Sequence, residues 1–282
     1  MGEKIWHEDL GRLKGGKMKV QDTAAMTDEI RRLAARQLAD LDAKTPNRMF
    51  SRQTELSVAQ AYELQTEVAR LRETRGEKII GYKVGCTSRA IQQQLGIGEP
   101  IFGRLFDTSC YASGTKLSCR SFANLAVEGE IAIRLNGAAS DASLGNEEYL
   151  KTIAEVFPVI ELHHYVLQSP NPCCQELIAS NGMHAGFVLA DDEGRPMPDG
   201  KPDLTIWIKD DSGDMIAKSS LLSRPIESLR WLAARLAGFG LALSPGQVVL
   251  TGSPMRLFPV GPGSEVVVKT KPAGTSRAEF VP

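Results

Sequence analysis

The stretch Val127-Glu128-Gly129-Glu130-Ile131-Ala132-Ile133 constrains this chain more than any other. Two glutamates two apart open an apolar run, and such a run reads as a β-strand. Successive strand side chains point to opposite faces, so Glu128 and Glu130 share one face. Their Cα atoms stand roughly 6.5–7 Å apart. From that spacing both carboxylates reach one hard divalent cation. Taken alone, a pair of this kind most often marks a solvated face. A third glutamate, Glu161, follows a second apolar run, Val156-Phe157-Pro158-Val159-Ile160. Three carboxylates from two strands suggest a Mg2+ or Mn2+ site with positions left open for a substrate.

At 282 residues the chain can bury a sizeable core, as one large domain or two. Its net charge of -1 argues against a nucleic acid or an anionic membrane as partner. No apolar run approaches the ~20 residues of a membrane helix, and no secretory h-region is visible. The cysteines, Cys86, Cys110, Cys119, Cys173 and Cys174, are odd in number and form no C-x-x-C. Neither a disulfide framework nor a zinc knuckle follows, and a cytoplasmic location is expected.

Residues 1–25, rich in Gly and Lys and without a steady period, are expected to form a loosely ordered extension. Residues 26–77 read as a helical segment. Ile30, Leu33, Ala34, Leu38 and Leu41 recur at helical spacing up to Thr45-Pro46-Asn47, and Ser57-Val58-Ala59-Gln60 is a capping box opening a second helix. Residues 78–282 read as a β-rich body with a few helices. Leu204-Thr205-Ile206-Trp207-Ile208-Lys209 alternates as a strand, and Leu229, Leu232, Ala233 and Leu236 share a helix face that ends at Gly238 and Gly240. The class is α+β, without regular βαβ alternation.

Several short motifs carry chemistry. Gly81-Tyr82-Lys83-Val84-Gly85-Cys86-Thr87-Ser88 is a strand with glycines on both sides of a lysine, feeding a short helix from Arg89 to Leu95 that Gly96 stops. Free N–H groups at a helix start favour an anion, so Thr87 and Ser88 are candidates for substrate binding. Lys83 could hold a carboxylate or move a proton, or be a surface residue of an edge strand. Asp107, after Phe102-Gly103-Arg104-Leu105-Phe106, could pair with a lysine, position a water, or cap a turn. His184, in Ser180-Asn181-Gly182-Met183-His184, is an acid–base candidate or a hydrogen-bonded structural residue. Thr251 and Ser253 could bind a carboxylate or shape their turn. His163-His164 is set aside as a zinc site, because adjacent strand residues face opposite ways.

The ordered set Gly81-Tyr82-Lys83-Val84-Gly85, Gln92-Gln93-Gln94-Leu95-Gly96, Phe102-Gly103-Arg104-Leu105, Glu128-Gly129-Glu130-Ile131-Ala132, Pro158-Val159-Ile160-Glu161 and Thr251-Gly252-Ser253 resembles one known family. It is the 2-keto-4-pentenoate hydratase and 4-oxalocrotonate decarboxylase branch of the fumarylacetoacetate hydrolase superfamily. The resemblance runs from about Leu33 to Val268. It implies a mixed β-roll or barrel-like C-terminal body behind an N-terminal helical segment. It implies Mg2+ or Mn2+ on Glu128, Glu130 and Glu161, with Lys83 and Asp107 as catalytic residues. The implied activity is that of a carbon–oxygen lyase in aromatic catabolism, a homo-oligomer that hydrates a 2-hydroxy-2,4-dienoate to a 4-hydroxy-2-oxo acid. The alternatives are a 4-oxalocrotonate-type decarboxylase, an acylpyruvate-type C–C hydrolase, or a catalytically silent subunit partnering a related enzyme. The chain departs from the family where many hydratases read D-N-A-S-S and this one reads Ser180-Asn181-Gly182-Met183-His184. It departs again at His163-His164. Both departures bear on substrate and reaction type, and His184 is a candidate water-activating base.

Overall fold

The computed structural model describes residues 20–46, 56–137, 145–167, 171–191, 196, 203–210, 213–219, 225–271 and 273–282. Residues 1–19 of the expected extension lie outside the described residues. Residues 20–25 do not continue it, because helix α1 (Val20–Ala43) has already begun there. The apolar period starts only at Ile30, whereas Ala24 and Ala25 favour helix by propensity alone. Ile30, Leu33, Ala34 and Leu38 are buried, and the helix stops before Thr45-Pro46, where the residue ahead of a proline leaves the helical region.

Helix α2 (Val58–Thr74) opens as its capping box predicts. Ser57 Oγ accepts from the Gln60 N–H at 3.2 Å, and Gln60 Oε1 accepts from the Ser57 N–H at 2.8 Å. Gln65 faces inward and its amide donates to Phe102 O (2.9 Å) and Ile178 O (2.8 Å). The helix pair is thereby pinned against the β-rich body.

After α2 the chain forms two mixed sheets. The first runs through β1 (Ile79–Gly85), β2 (Ile101–Phe106), β3 (Cys110–Tyr111), β5 (Ala126–Leu135), β6 (Ile153–His163), β7 (His184–Val188), β10 (Val248–Leu250) and β11 (Phe258–Pro259). Its order is β2-β1-β10-β5-β6-β7-β3, with β11 paired to the start of β5. The second contains β4 (Thr115–Ser118), β8 (Asp203–Asp210), β9 (Gly213–Ser219), β12 (Glu265–Lys271) and β13 (Gly274–Val281), in the order β4-β13-β12-β8-β9. Short helices α3 (Arg89–Leu95), α4 (Asn146–Lys151) and α5 (Cys174–Ala179) and the longer α6 (Pro225–Ala237) complete the order. The expected alternating strand is β8, and the expected Leu229-Leu232-Leu236 face is buried on α6. Among the described residues no helix is long and apolar enough to cross a membrane.

Two features position the site. Gly129 lies between Glu128 and Glu130 and turns the other way, toward the second sheet. A Cβ there would stand 3.3 Å from both Val268 methyls and 3.5 Å from Ile206, so the missing side chain lets the sheets close. The first sheet also curls. Lys83 on β1 and Glu161 on β6 are three strand intervals apart, roughly 14 Å in a flat sheet. Their charged groups nevertheless meet at 2.6 Å. Asn181 braces that curl. Its side-chain Oδ1 accepts the Arg104 N–H (2.7 Å) and its Nδ2 donates to Arg104 O (2.9 Å), so one amide serves the free edge of β2 as a strand partner would.

Candidate active site

The β5–β6 register builds the site. Glu128 lies opposite Glu161 and Glu130 opposite Val159, so directly opposed side chains share a face with their i±2 neighbours. His163, two residues beyond Glu161, falls on that face as well. It pairs with His184 across the β6–β7 ladder. Glu130, Glu161, His163, His184 and Lys83 are all at least nine-tenths buried. Glu161 is the hub: its Oε1 accepts from Lys83 Nζ (2.6 Å) and lies 2.7 Å from His184 Nδ1. His163 Nε2 stands 3.3 Å from Glu128 Oε2 and 3.5 Å from Glu161 Oε2. Glu128, Glu161 and His163 offer ligand atoms that all lie within 4.8 Å of one another. Glu130 is beside them, its Oε2 accepting the Gly252 N–H at 2.9 Å.

Glycines make room for the lysine. Its Nζ also donates to Gly182 O at 3.3 Å. A Cβ on Gly182 would come within 3.3 Å of Lys83 Cε, and Gly182 holds φ +65°, a conformation that favours glycine. A Cβ on Gly103 would stand 3.1 Å from Lys83 Cγ and 2.7 Å from Asn181 O. The Gly–Lys–Gly strand and the Phe102-Gly103-Arg104 strand are therefore one device, a narrow sleeve around the lysine stem.

The charges are mutually dependent. Burial pulls the Lys83 ammonium down, but Glu161, Glu130 and Glu128 outweigh it and the net shift is upward. Burial pushes Glu161 up, yet Lys83 and His163 hold its carboxyl well below the usual range. Glu130 is raised well above that range by burial, then by Glu161 and Glu128. His163 is opposed by burial but carried up to about 9 by Glu161. Burial lowers His184 despite its contact with Glu161. A neutral His184 therefore donates from Nδ1 to the ionised Glu161 and keeps a lone pair on Nε2, which has no hydrogen-bond partner among the described residues. Glu161 Oε2 and both His163 nitrogens are also buried and have no hydrogen-bond partner among the described residues. A carboxylate oxygen and an imidazole nitrogen that converge without hydrogen-bond partners, beside Glu128, fit a divalent cation.

The expected residues divide. Glu128, Glu130, Glu161, Lys83 and His184 come together. Asp107 does not: it is exposed and its Oδ1 caps the Lys78 and Thr108 N–H groups, both at 2.9 Å. That places its carboxylate at the opening of β1, against Lys78, which stands five residues before Lys83, and the contacts are those of the turn-capping alternative. Ser88 is exposed and caps α3, accepting the Ile91 N–H. Thr251 Oγ1 donates to Ile131 O (2.8 Å) and Ser253 Oγ to Gly129 O (3.0 Å). Both fasten the turn that brings the Gly252 N–H to Glu130. Thr87 is half-buried against Gly252, whose Cβ would come within 2.6 Å of it. His163 was set aside at the sequence level and belongs to the cluster. His164 faces away, as alternation requires, with Nδ1 accepting the Ala123 N–H (2.7 Å) and Nε2 3.2 Å from Leu41 O. The E-x-H spacing from Glu161 held the signal, by the rule that joined Glu128 to Glu130.

No family model matches the chain. A 2-keto-4-pentenoate hydratase of Burkholderia vietnamiensis is 31% identical over 225 residues, 78% of this chain and 81% of that protein. A 2-hydroxyhexa-2,4-dienoate hydratase of Comamonas testosteroni is 28% identical over 88% of this chain and 92% of its own. Among solved structures, 4-oxalocrotonate decarboxylase from Pseudomonas putida G7, complexed with magnesium and adipate, superposes with a TM-score of 0.82 at 23% identity. The match covers 90% of this chain and 98% of that one. The fold is therefore the one that decarboxylase has. With the sequence kinship to the hydratases, the chain belongs to the 2-keto-4-pentenoate hydratase and 4-oxalocrotonate decarboxylase branch of the fumarylacetoacetate hydrolase superfamily.

Proposed function

We propose that this protein is a divalent-metal-dependent hydratase that adds water to a 2-hydroxy-2,4-dienoate and yields a 4-hydroxy-2-oxo acid. The observation that carries the reading is the buried Lys83–Glu161–His184 cluster beside Glu128 and Glu130, in a chain whose relatives include several hydratases. Glu128, Glu130 and Glu161 are the residues that would hold Mg2+ or Mn2+. The cation, when bound, supplies a Lewis acid for the oxygen at C2 of the substrate. Lys83, kept charged by three glutamates, neutralises the substrate carboxylate. His184, fixed through Nδ1 on Glu161, offers Nε2 to take a proton from the water that adds to the distal double bond. Thr87 borders the substrate, while Thr251 and Ser253 act through the turn they hold. A homo-oligomer and a β-roll-like body belong to the same proposal.

One observation favours a second reading. An unpartnered histidine nitrogen beside the carboxylates is also what hydrolysis of an acylpyruvate needs to activate water. Ultraviolet assays with dienoate, oxalocrotonate and acylpyruvate panels, with metal added and products identified by mass, separate the readings. Loss of the dienoate chromophore with a 4-hydroxy-2-oxo acid product is the expected result. CO2 from oxalocrotonate, or pyruvate from an acylpyruvate, without dienoate turnover would overturn it. A chain silent on every panel would be a partner subunit.

A further inference from the structure

The two oxygens of Glu161 have different commitments. Oε1 receives both Lys83 Nζ and His184 Nδ1, at 2.6 and 2.7 Å. Oε2 is buried and has no hydrogen-bond partner among the described residues. It faces His163 Nε2 at 3.5 Å, and that nitrogen lies 3.3 Å from Glu128 Oε2. Both nitrogens of His163 are buried and have no hydrogen-bond partner among the described residues. A cation with bonds of about 2.1 Å would satisfy Glu161 Oε2 and His163 Nε2 at once and take Glu128 Oε2 beside them, and its tetrahedrally arranged ligands would stand about 3.4 Å apart. The trio is set by backbone rather than by chance rotamers. Glu161 and His163 are i and i+2 on β6, and Glu128 is the register partner of Glu161. Glu130, engaged with the Gly252 N–H, lies outside the trio.

We infer that His163 Nε2 is a metal ligand in this protein, alongside Glu128 and Glu161, and that the centre prefers a borderline transition-metal ion to Mg2+. An all-carboxylate site suits Mg2+, Ca2+ or Mn2+. An imidazole adds little for these hard cations and much for Co2+, Ni2+ or Zn2+. The inference rests on the proposal above that the site binds a divalent cation at all, and revises its donor set by putting His163 in the place of Glu130, and with it the preferred class of ion.

The test uses the full-length protein, freed of metal with a chelator. Mn2+ is added for electron spin echo envelope modulation, and Mg2+ and Co2+ are titrated calorimetrically. The expected spectrum of the wild-type Mn2+ form carries 14N modulation, lost in His163→Gln and kept in His184→Gln. The Co2+ preference over Mg2+ should shrink by about 10–100-fold in His163→Gln, at least the loss that follows removal of a supporting partner around a metal site. His163→Leu provides a second variant should the glutamine disturb folding, and the wild-type spectrum needs no variant. Mn2+ bound with oxygen donors only, or nitrogen modulation that survives loss of His163, would overturn the inference and leave the metal-dependent reading intact. Absence of any cation binding would overturn both.

Discussion

At the scale of single residues, the site is one carboxylate with three nitrogen neighbours. Glu161 tolerates burial because Lys83 lies 2.6 Å away and His184 2.7 Å away. Removing one partner of a buried ion pair leaves the other uncompensated, at about 3–5 kcal/mol. Lys83→Met should therefore abolish turnover and also lower the melting temperature. The double variant Lys83→Met with Glu161→Gln should recover stability but not activity, because the orphaned charge is gone. Thermal melts of the wild type, both single variants and the double variant measure this; a double variant no more stable than Lys83→Met would contradict it. At this scale the sequence was legible wherever alternation was applied to a residue by itself, as at Glu128, Glu130 and Glu161. It failed at His163, where two adjacent histidines were weighed as a unit, although each strand position has its own face. It left Asp107 open between a cap and a catalytic role because a turn cap and a pocket contact look the same in one dimension.

At the scale of elements, His164 fastens three segments. It leaves β6 on the side opposite the cluster, accepts the Ala123 N–H and reaches Leu41 of α1. Burial holds its pKa below the ordinary 6.5, which keeps the accepting nitrogen free of a proton. A group with its folded-state pKa depressed contributes stability above its unfolded value and loses it as pH falls through the folded one. Stability should thus decline below about pH 6.5. His184, also lowered by burial, contributes in the same direction. Replacing His164 by Gln should flatten this acid limb while costing about 1–3 kcal/mol at neutral pH for the lost contacts. Denaturant melts between about pH 5 and 7.5 read both effects, and an unchanged acid limb in His164→Gln would refute the assignment. Helices were the most legible elements. The capping box at Ser57 and the stop at Gly96, with φ +66°, act within a few residues, so they can be read locally.

At the scale of the whole molecule, the cluster joins strands that are distant in sequence, and whatever binds there stabilises the curled first sheet. A cation that binds the folded state alone should add about 2.7 kcal/mol of stability at a hundredfold excess over its Kd. The melting temperature should rise by several degrees with a saturating divalent cation and fall back with chelator; a melt indifferent to every divalent cation would remove the metal from the account. The sequence by itself determined the strand that carries Glu128 and Glu130, the capped helices and the kinship to the hydratase branch. These depend on period, on caps and on ordered motifs, all of which lie along the chain. The tertiary structure alone decided that Gly129 lets the two sheets approach, that Asn181 braces the edge of β2, and that Lys83 reaches Glu161 across three strand intervals. It also decided that Asp107 belongs to a turn and His163 to the cluster. Those outcomes follow from register and curl, which bring together residues 23 positions apart, as Glu161 and His184, or 122 apart, as Glu130 and Gly252, and no local pattern encodes which of them will meet.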